Sequence, residues 1–296
     1  MIHSIVNGSR RKVICFGVGY SAKRLLQNLI NNGWEVSGTC RTSESAKFLD
    51  AIGIEPLIFY RNQFSSELKS KIDQATHFIV SIPPDYLGDP VLNVFKNEIL
   101  CNAKSIQWIG YFSSTGVYGD HNGAWVDERS ATKTVNEHGL QRLNAEREWL
   151  ALYENYSLPV HIFRIAGIYG PQRNPLDQAR IGKAQRIFKE DFVFSRIHVD
   201  DIANAVGCSI AKPSPGSIYN LADDEPAPYH EVIEYAYRLL NMKIPPLTPI
   251  EKADISPIQR GFFSESRKIN NLKIKKELKV KLKYPDFRKG LKCLIN

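Results

Sequence analysis

The chain has 296 residues, of which 43% are hydrophobic and 24% are charged. These fractions are near globular averages and exclude wholesale disorder. No apolar run approaches the roughly 18 residues that a membrane-spanning helix needs, and the first eleven residues lack the order of a signal peptide. Five widely separated cysteines without a Cys-x-x-Cys pair disfavour a zinc site and a disulfide framework. The sequence therefore predicts a soluble, cytoplasmic, globular protein with no metal site.

The net charge of +8 is concentrated in one segment of the chain. Eleven lysines and arginines lie between Arg267 and Lys292, accompanied by only two acids, and the rest of the chain is nearly neutral. Apolar residues are interleaved with these lysines, which indicates a packed helix and strand with a solvated basic face. We therefore expect no nucleic-acid or membrane partner, and the charge favours an anionic small-molecule substrate.

Strand-like and helix-like patterns alternate through the first half of the chain. This alternation predicts an α/β fold with a Rossmann-type, doubly wound parallel sheet and a smaller C-terminal substrate-binding part. The predicted strands are 12–16, 34–39, 57–60, 76–81, 106–112 and 160–164, and the clearest predicted helices are 21–32, 91–103, 136–153 and 229–241.

A glycine-rich turn joins the first predicted strand to the first predicted helix. Residues 17–22 read Gly-Val-Gly-Tyr-Ser-Ala, which matches Gly-x-Gly-x-x-Ala. Gly17 permits the tight turn, Gly19 lets the backbone approach a pyrophosphate, and Ala22 lets helix and strand pack closely. The N–H groups of the helix N-terminus attract the anion. The pattern predicts a dinucleotide site, with an ordinary strand-to-helix turn as the alternative.

The end of the second predicted strand bears on the choice of dinucleotide. NAD sites place an acid there, whereas residues 39–43 read Thr-Cys-Arg-Thr-Ser. Arg41 offers a planar fork to a 2′-phosphate, and Thr42 and Ser43 add further donors. The sequence therefore predicts NADP as the preferred cofactor and NAD as the alternative, unless Arg41 is simply solvated.

Beyond about residue 170, prolines and glycines become frequent and clear helical periodicity becomes rare. We expect a flexible lead-in at residues 1–10 and a dinucleotide-binding domain at 11–170, with a returning segment at about 195–222. The remainder of 171–296 is predicted to form the smaller, substrate-binding domain.

Further motifs follow in order along the chain. Residues 112–119 read Phe-Ser-Ser-Thr-Gly-Val-Tyr-Gly, 126–128 read Val-Asp-Glu, and 164–171 read Arg-Ile-Ala-Gly-Ile-Tyr-Gly-Pro. Residues 196–203 read Arg-Ile-His-Val-Asp-Asp-Ile-Ala, and 218–222 read Ile-Tyr-Asn-Leu-Ala. With the glycine loop, these motifs resemble the extended short-chain dehydrogenase/reductases, the family of NAD-dependent epimerases and dehydratases. The resemblance runs from about residue 12 to the C-terminus.

The resemblance implies roles for individual residues. Ser114 would hydrogen-bond the reacting carbonyl or hydroxyl, and Thr115 would reach the substrate. Further cofactor contacts are implied for Tyr20, Ser21, Ser81, Ile82, Pro83, Ser113, Arg164, Ile165 and Ala166, and substrate contacts for Tyr118, Arg196 and His198.

The sequence departs from the family at its catalytic pair. The family uses a tyrosine as proton donor or acceptor and a lysine four residues later, but none of the 13 tyrosines here is followed by such a lysine. His138 and Arg142 occupy the two positions, and the loss is similar to that in an atypical, YeeZ-like branch. A neutral imidazole is a competent base at physiological pH. One hypothesis is that His138 exchanges a proton with the substrate while Arg142 contacts ribose or phosphate; the alternative is an ordinary first-turn histidine.

Two functions follow from this mixture of retained and missing motifs. The first is an NAD(P)-dependent oxidoreductase or epimerase acting on a hydroxyl-bearing carbon of a small or nucleotide-sugar substrate. The alternative is a non-catalytic NADP-binding redox sensor. The resemblance also implies a homodimer formed through the helix that carries His138.

Overall fold

A computed structural model describes residues 11–61 and 63–295 of the chain. The predicted lead-in, residues 1–10, lies outside this part. The chain forms two compact units, the first comprising Met1–Phe112, Arg147–His161 and Pro213–Ser217, and the second Ser113–Glu146, Ile162–Lys212 and Ile218–Asn296. The predicted boundary near residue 170 falls inside the second unit, so compactness divides the chain differently from the sequence prediction.

The first unit is built from alternating strands and helices. In chain order they are β1 (Lys12–Phe16), α1 (Tyr20–Asn31), β2 (Glu35–Cys40), α2 (Ser43–Ala51), β3 (Glu55–Tyr60), β4 (Gln63–Phe64), α3 (Glu67–Gln74), β5 (His77–Val80), α4 (Pro90–Cys101) and β6 (Trp108–Ser114), whose last two residues belong to the second unit.

Elements of the second unit are shorter and less regular. They are β7 (Trp125–Val126), α5 (Glu137–Tyr156), β8 (Val160–Ile165), β9 (Gly167–Tyr169), α6 (Pro175–Arg180), β10 (Arg186–Phe188), β11 (Arg196–His198), α7 (Val199–Ala211), β12 (Ile218–Leu221), α8 (Tyr229–Leu239), β13 (Leu247–Pro249), α9 (Pro257–Phe262), β14 (Lys268–Ile269), α10 (Leu272–Glu277) and α11 (Phe287–Lys292). Both α5 and β8 continue from one unit into the other.

The main sheet has the strand order β12-β8-β6-β5-β1-β2-β3-β4. Strand β1 pairs in parallel with β2 and β5, β2 with β3, β5 with β6, and β8 with β12, whereas β4 is antiparallel to β3. This arrangement confirms the predicted Rossmann-type parallel sheet. Because the strand order reverses at β1, the carboxyl ends of β1 and β5 form the switch point at which such sheets bind ligands.

Burial explains why the early elements could be predicted. Four of the five residues of β1 are buried, as expected for a parallel strand covered on both faces. In α1 the buried apolar residues Leu25, Leu26 and Leu29 form a single stripe. The observed bounds of the strands and helices predicted in the first 165 residues lie within three residues of the predicted ones.

The basic C-terminal segment packs through its apolar residues, as predicted, and leaves most of its lysines exposed. Ile274, Val280 and Phe287 are buried, whereas Lys273 and Lys275 are half-buried. The segment contains the two-residue strand β14 and the helices α10 and α11, whereas residues 278–286 form neither a helix nor a strand. Instead, the Asp201 carboxylate accepts hydrogen bonds from the backbone N–H groups of Lys283 and Tyr284 at 2.7 and 2.9 Å.

Within residues 11–61 and 63–295, no helix combines the length and apolar character needed to cross a lipid bilayer.

Candidate functional site

The glycine turn of the first unit follows β1 directly. Gly17 has a φ of +86°, and a Cβ there would lie 2.7 Å from Ile82 Cγ1. Its N–H donates to Thr39 Oγ1 at 2.8 Å, and the Ser81 hydroxyl donates to its carbonyl. Both the left-handed backbone and the approach of the segment after β5 therefore require glycine at position 17.

Gly19 occupies a different environment. It immediately precedes α1, and a Cβ built on it would meet no atom of residues 11–61 or 63–295 within 4 Å. The first-turn N–H groups of Ser21 and Ala22 have no acceptor inside the helix. Such donors, next to a residue without a side chain, suit an anionic group such as the pyrophosphate of a dinucleotide. Tyr20 is half-buried, and Ser81, Ile82 and exposed Pro83 border the same end of the sheet after β5.

The end of β2 carries the residues expected to select the cofactor. Arg41 is exposed and forms no ion pair within the described part of the chain. Thr42 caps α2, since its Oγ1 accepts the N–H of Ser45 at 3.2 Å. The first acid after the strand is Glu44, in the first turn of α2. The strand end itself therefore presents a cation and no carboxylate.

In the second unit, the end of β6 leads into a short 3₁₀ helix, Thr115–Tyr118. The Ser114 hydroxyl caps this helix by accepting the N–H of Gly116 at 3.0 Å. Accepting leaves the hydroxyl proton of Ser114 for donation to another oxygen. Thr115 beside it is buried.

A buried ion pair lies next to Ser114. Glu146 is 1% exposed and accepts hydrogen bonds from Arg164 Nη2 at 2.8 Å and from the Ser113 hydroxyl at 2.5 Å. Burial opposes the charge of Arg164, but the hydrogen bonds and charge of Glu146 outweigh it and raise the pKa of the guanidinium. The side chains of Ser113 and Arg164, both predicted to contact the cofactor, are thus bound to Glu146.

Tyr118 extends this network to β12. Arg164 lies 4.8 Å from the centroid of the Tyr118 ring, and the phenol donates to Asn220 Oδ1 at 2.7 Å. Burial raises the pKa of Tyr118 to about 12, so the phenol stays protonated at neutral pH. The other residues predicted at the end of β8, Ile165 and Ala166, are 6% and 5% exposed.

Helix α5 carries the two residues that replace the family's catalytic pair. His138, Arg142 and Glu146 are spaced by four residues, so they follow one face of the helix at steps of roughly 6 Å. Glu146 is fixed to Ser113, whereas His138 is exposed and Arg142 is half-buried. One helical face thus leads from the end of β6 to an exposed imidazole.

Packing also joins the beginning of α5 to the turn after Ser114. A Cβ on Gly139 would lie 2.1 Å from Thr134 Oγ1, and the N–H of Lys133 donates to the Tyr118 carbonyl at 2.9 Å. Leu143, one turn further along, packs in one buried cluster with Tyr118. The structure therefore places the start of the helix, with His138, against the turn that Ser114 caps.

The predicted substrate contacts Arg196 and His198 lie on β11. Arg196 is half-buried, and its Nη1 donates to the carbonyls of Phe194 and Ala227 at 2.9 and 3.1 Å. His198 is 1% exposed and its Nδ1 accepts the N–H of Asp200 at the start of α7. His198 thus serves as a helix cap, and substrate contact for either residue stays a prediction.

Glu146 is the site residue that the sequence reasoning missed. It lies eight residues after His138 and between the apolar residues Leu143, Ala145 and Trp149 on the buried face of α5. A carboxylate on a buried helical face needs a cationic partner, and Arg164 in the buried strand β8 was the candidate. A carboxylate on a buried helical face together with an arginine in a buried strand was the feature of the sequence that could have predicted this ion pair.

Comparison with known proteins identifies the family and relatives of the chain. A model of the NAD dependent epimerase/dehydratase family matches residues 16–222. The chain is 27% identical over 250 residues to protein YeeZ of Escherichia coli (strain K12), an alignment covering 79% of this chain and 86% of YeeZ.

Two solved structures show the same fold. A functionally unknown conserved protein from Silicibacter pomeroyi DSS is 43% identical, with a TM-score of 0.88 over 96% of this chain and 98% of that one. The dTDP-glucose 4,6-dehydratase of Bacillus anthracis str. Ames, solved in complex with NAD, is 19% identical, with a TM-score of 0.75 over 96% of this chain and 95% of the dehydratase. The family match over residues 16–222 confirms the resemblance that the motifs indicated, and the chain belongs to the NAD dependent epimerase/dehydratase family.

Proposed function

We propose that this protein binds a nicotinamide dinucleotide, NADP in preference to NAD, and acts as an oxidoreductase or epimerase. Its substrate would be a small molecule or a nucleotide-linked sugar, and the reaction would take place at a carbon that bears a hydroxyl group. The observation that carries the proposal is the open space at Gly19, above the first-turn N–H groups of α1. When bound, the nicotinamide supplies the hydride chemistry, and the protein supplies binding, orientation and proton transfer.

Residues of the first unit support the choice of NADP. A 2′-phosphate carries a negative charge that an acid at the end of β2 would repel and that a guanidinium binds through two parallel hydrogen bonds. Arg41 is exposed at this strand end without an ion-pair partner among the described residues, and Thr42 is already engaged as a cap. Arg41 is therefore the residue that we assign to the 2′-phosphate.

Residues of the second unit support the proton chemistry. Ser114 has a hydroxyl proton to donate to a substrate oxygen, because its own oxygen accepts the N–H of Gly116. His138 is exposed, and an imidazole is the side chain suited to general acid–base chemistry. A guanidinium suits charge-assisted hydrogen bonds to phosphate rather than proton transfer, so Arg142 would contact a ribose or phosphate. We therefore assign proton transfer to His138 alone.

A second candidate function is a non-catalytic NADP-binding redox sensor. Two observations favour it: the Tyr-x-x-x-Lys pair is missing, and the exposed imidazole of His138 has no side-chain hydrogen bond within the described part of the chain. A sensor would bind the dinucleotide without substrate-dependent oxidation or reduction.

The Arg41→Ala variant tests the cofactor preference. Losing a charge-assisted pair is expected to weaken NADPH binding by about 10- to 100-fold and to leave NADH binding unchanged. Calorimetric titration with each nucleotide measures both affinities. Arg61→Ala, which removes an exposed arginine just after β3, is the matched control. Equal weakening of both nucleotides would contradict the assignment of Arg41.

The His138→Ala variant tests the proton transfer. Removing a general base is expected to slow turnover by about 100-fold or more, with partial rescue by added imidazole. The readouts are the change in nicotinamide absorbance and the chromatographic conversion of a panel of nucleotide sugars, because an epimerase regenerates its cofactor and changes no net absorbance. Asn144→Ala, exposed on the same helix, controls for effects on α5. Unchanged turnover would reject the role of His138, and the absence of both an absorbance change and substrate conversion in the wild type would favour the sensor.

The Glu146→Gln variant tests whether the buried ion pair holds the end of β6. Arg164 would be left buried without its counter-charge, which is expected to cost about 3 to 5 kcal/mol of unfolding free energy. Denaturant titration measures this loss, and Glu148→Gln on the exposed face of α5 is the control. A loss no larger than that of the control would show that the pair is dispensable.

A further inference from the structure

A second group of charged residues lies in the second unit, around Arg196 and Asp223. Their backbones are adjacent, because the N–H of Asp223 donates to the Arg196 carbonyl at 2.6 Å. Asp223 follows shortly after the carboxyl end of β12, and Arg196 begins β11. No hydrogen bond joins the two side chains within the described part of the chain, although the charge of Arg196 acts on the carboxyl of Asp223.

Asp223 is buried with half of its hydrogen-bonding capacity unused. It is 1% exposed, and Oδ1 accepts the N–H of Glu225 at 3.3 Å. Its other oxygen, Oδ2, is fully buried and has no partner among the described residues. Burial raises the pKa of Asp223 to about 8, against the opposing charge of Arg196. At neutral pH the carboxyl is therefore mostly protonated and is a hydrogen-bond donor.

Arg196 is held in place and still has donors to spare. Its Nη1 bonds to the carbonyls of Phe194 and Ala227, which fixes the plane of the guanidinium. The Nε and Nη2 groups bond to no described residue. Burial lowers the pKa of Arg196 to about 10, so the guanidinium is charged at neutral pH.

The acidic neighbours on other elements are already engaged. Asp224 is paired with Lys275, and Glu225 with Arg288. Asp286 caps α11 through the N–H of Lys289, and Asp201 accepts two backbone N–H groups. The two phenols near Arg196, Tyr169 and Tyr229, are neutral, since burial raises the pKa of each. The pair itself thus presents one positive charge, with donors on Arg196 and on the protonated Asp223, whose Oδ1 is engaged by the N–H of Glu225.

We propose that Arg196 and Asp223 form an oxyanion site for a carboxylate or phosphate group. The buried, unpartnered Oδ2 and the unused N–H groups of Arg196 are the donors that such a group would satisfy. The inference deepens the proposed function, because it assigns an anionic group to the substrate. It rests on the proposed function only in treating the bound anionic group as part of that enzyme's substrate.

Anion binding at this site is expected to weaken as the pH rises. An ionised Asp223 would repel a bound anion, so the anion binds the protonated form and takes up a proton whenever the carboxyl was ionised. Affinity is expected to be greatest well below the pKa of Asp223, which is about 8, and to fall towards tenfold for each pH unit above it.

Sulfate is a suitable probe, because it does not titrate in the relevant range. Calorimetric titration of the full chain between about pH 6 and about pH 9 stays below the pKa of Arg196. In the wild type we expect weaker sulfate binding towards the upper end and an observed enthalpy that depends on the buffer, which reports proton uptake. Asp223→Asn mimics the neutral acid and is expected to bind sulfate independently of pH, and Arg196→Gln is expected to lose binding.

Two outcomes would overturn the proposal: sulfate binding by the wild type without pH dependence or proton uptake, or no sulfate binding at all. The buffer dependence needs only the wild-type protein, so the test stands even where a variant fails to fold. NADPH titration of the wild type and of Asp223→Asn separates this inference from the proposed function. Retained NADPH binding without a sulfate site would reject the oxyanion site alone, and sulfate binding without NADPH binding would reject the proposed function alone.

Discussion

The close approach of two strand ends is the constraint on which the proposed cofactor site depends. Parallel strands β1 and β5 are neighbours, so the segments that follow their carboxyl ends lie close together. A Cβ at position 17 would lie 2.7 Å from Ile82 Cγ1, and only glycine combines that proximity with a φ of +86°. Once the chain has turned there, Gly19 and the N-terminus of α1 follow, with open space at the Cβ position of Gly19. The anion site that we propose thus depends on local backbone geometry before any side chain contributes.

In the second unit, a buried charge pair has the corresponding role. Glu146 binds Arg164 and Ser113 at once, so α5, β6 and β8 are held in one register by side chains that exclude water. A buried pair is costly to form and more costly to break, which makes it better suited to fixing positions than to adding stability. Ser114 lies directly after the fixed residue, whereas His138 lies two turns away at the exposed beginning of α5. The end of β6 is therefore fixed by buried side chains, and the beginning of α5 is exposed to solvent.

Secondary structure was predicted best where a sequence pattern is compatible with only one kind of element. A buried apolar strand, two glycines and a leucine stripe could form only a strand, a turn and a helix, and the structure confirms β1 and α1. Helix α2 escaped prediction because Leu49 is its only buried residue, so no periodicity marks it. Apolar residues alternate through 278–284 without forming a strand, and Asp201, about eighty residues away, binds the N–H groups of Lys283 and Tyr284. The pairing of Glu146 with Arg164 and the isolation of Asp223 also depend on such long-range contacts.

The most direct test of the central claim fills the space above α1. NADPH binding is measured by calorimetry for the wild type and for Gly19→Val, with Gly207→Val as the control, since a Cβ at either glycine would meet no atom within 4 Å. The fold should tolerate both changes. We expect Gly19→Val to weaken binding by at least about 100-fold, because its side chain would occupy the place of the pyrophosphate, and Gly207→Val to bind as the wild type does. Wild-type affinity in Gly19→Val, or no nucleotide binding by the wild type, would contradict the account.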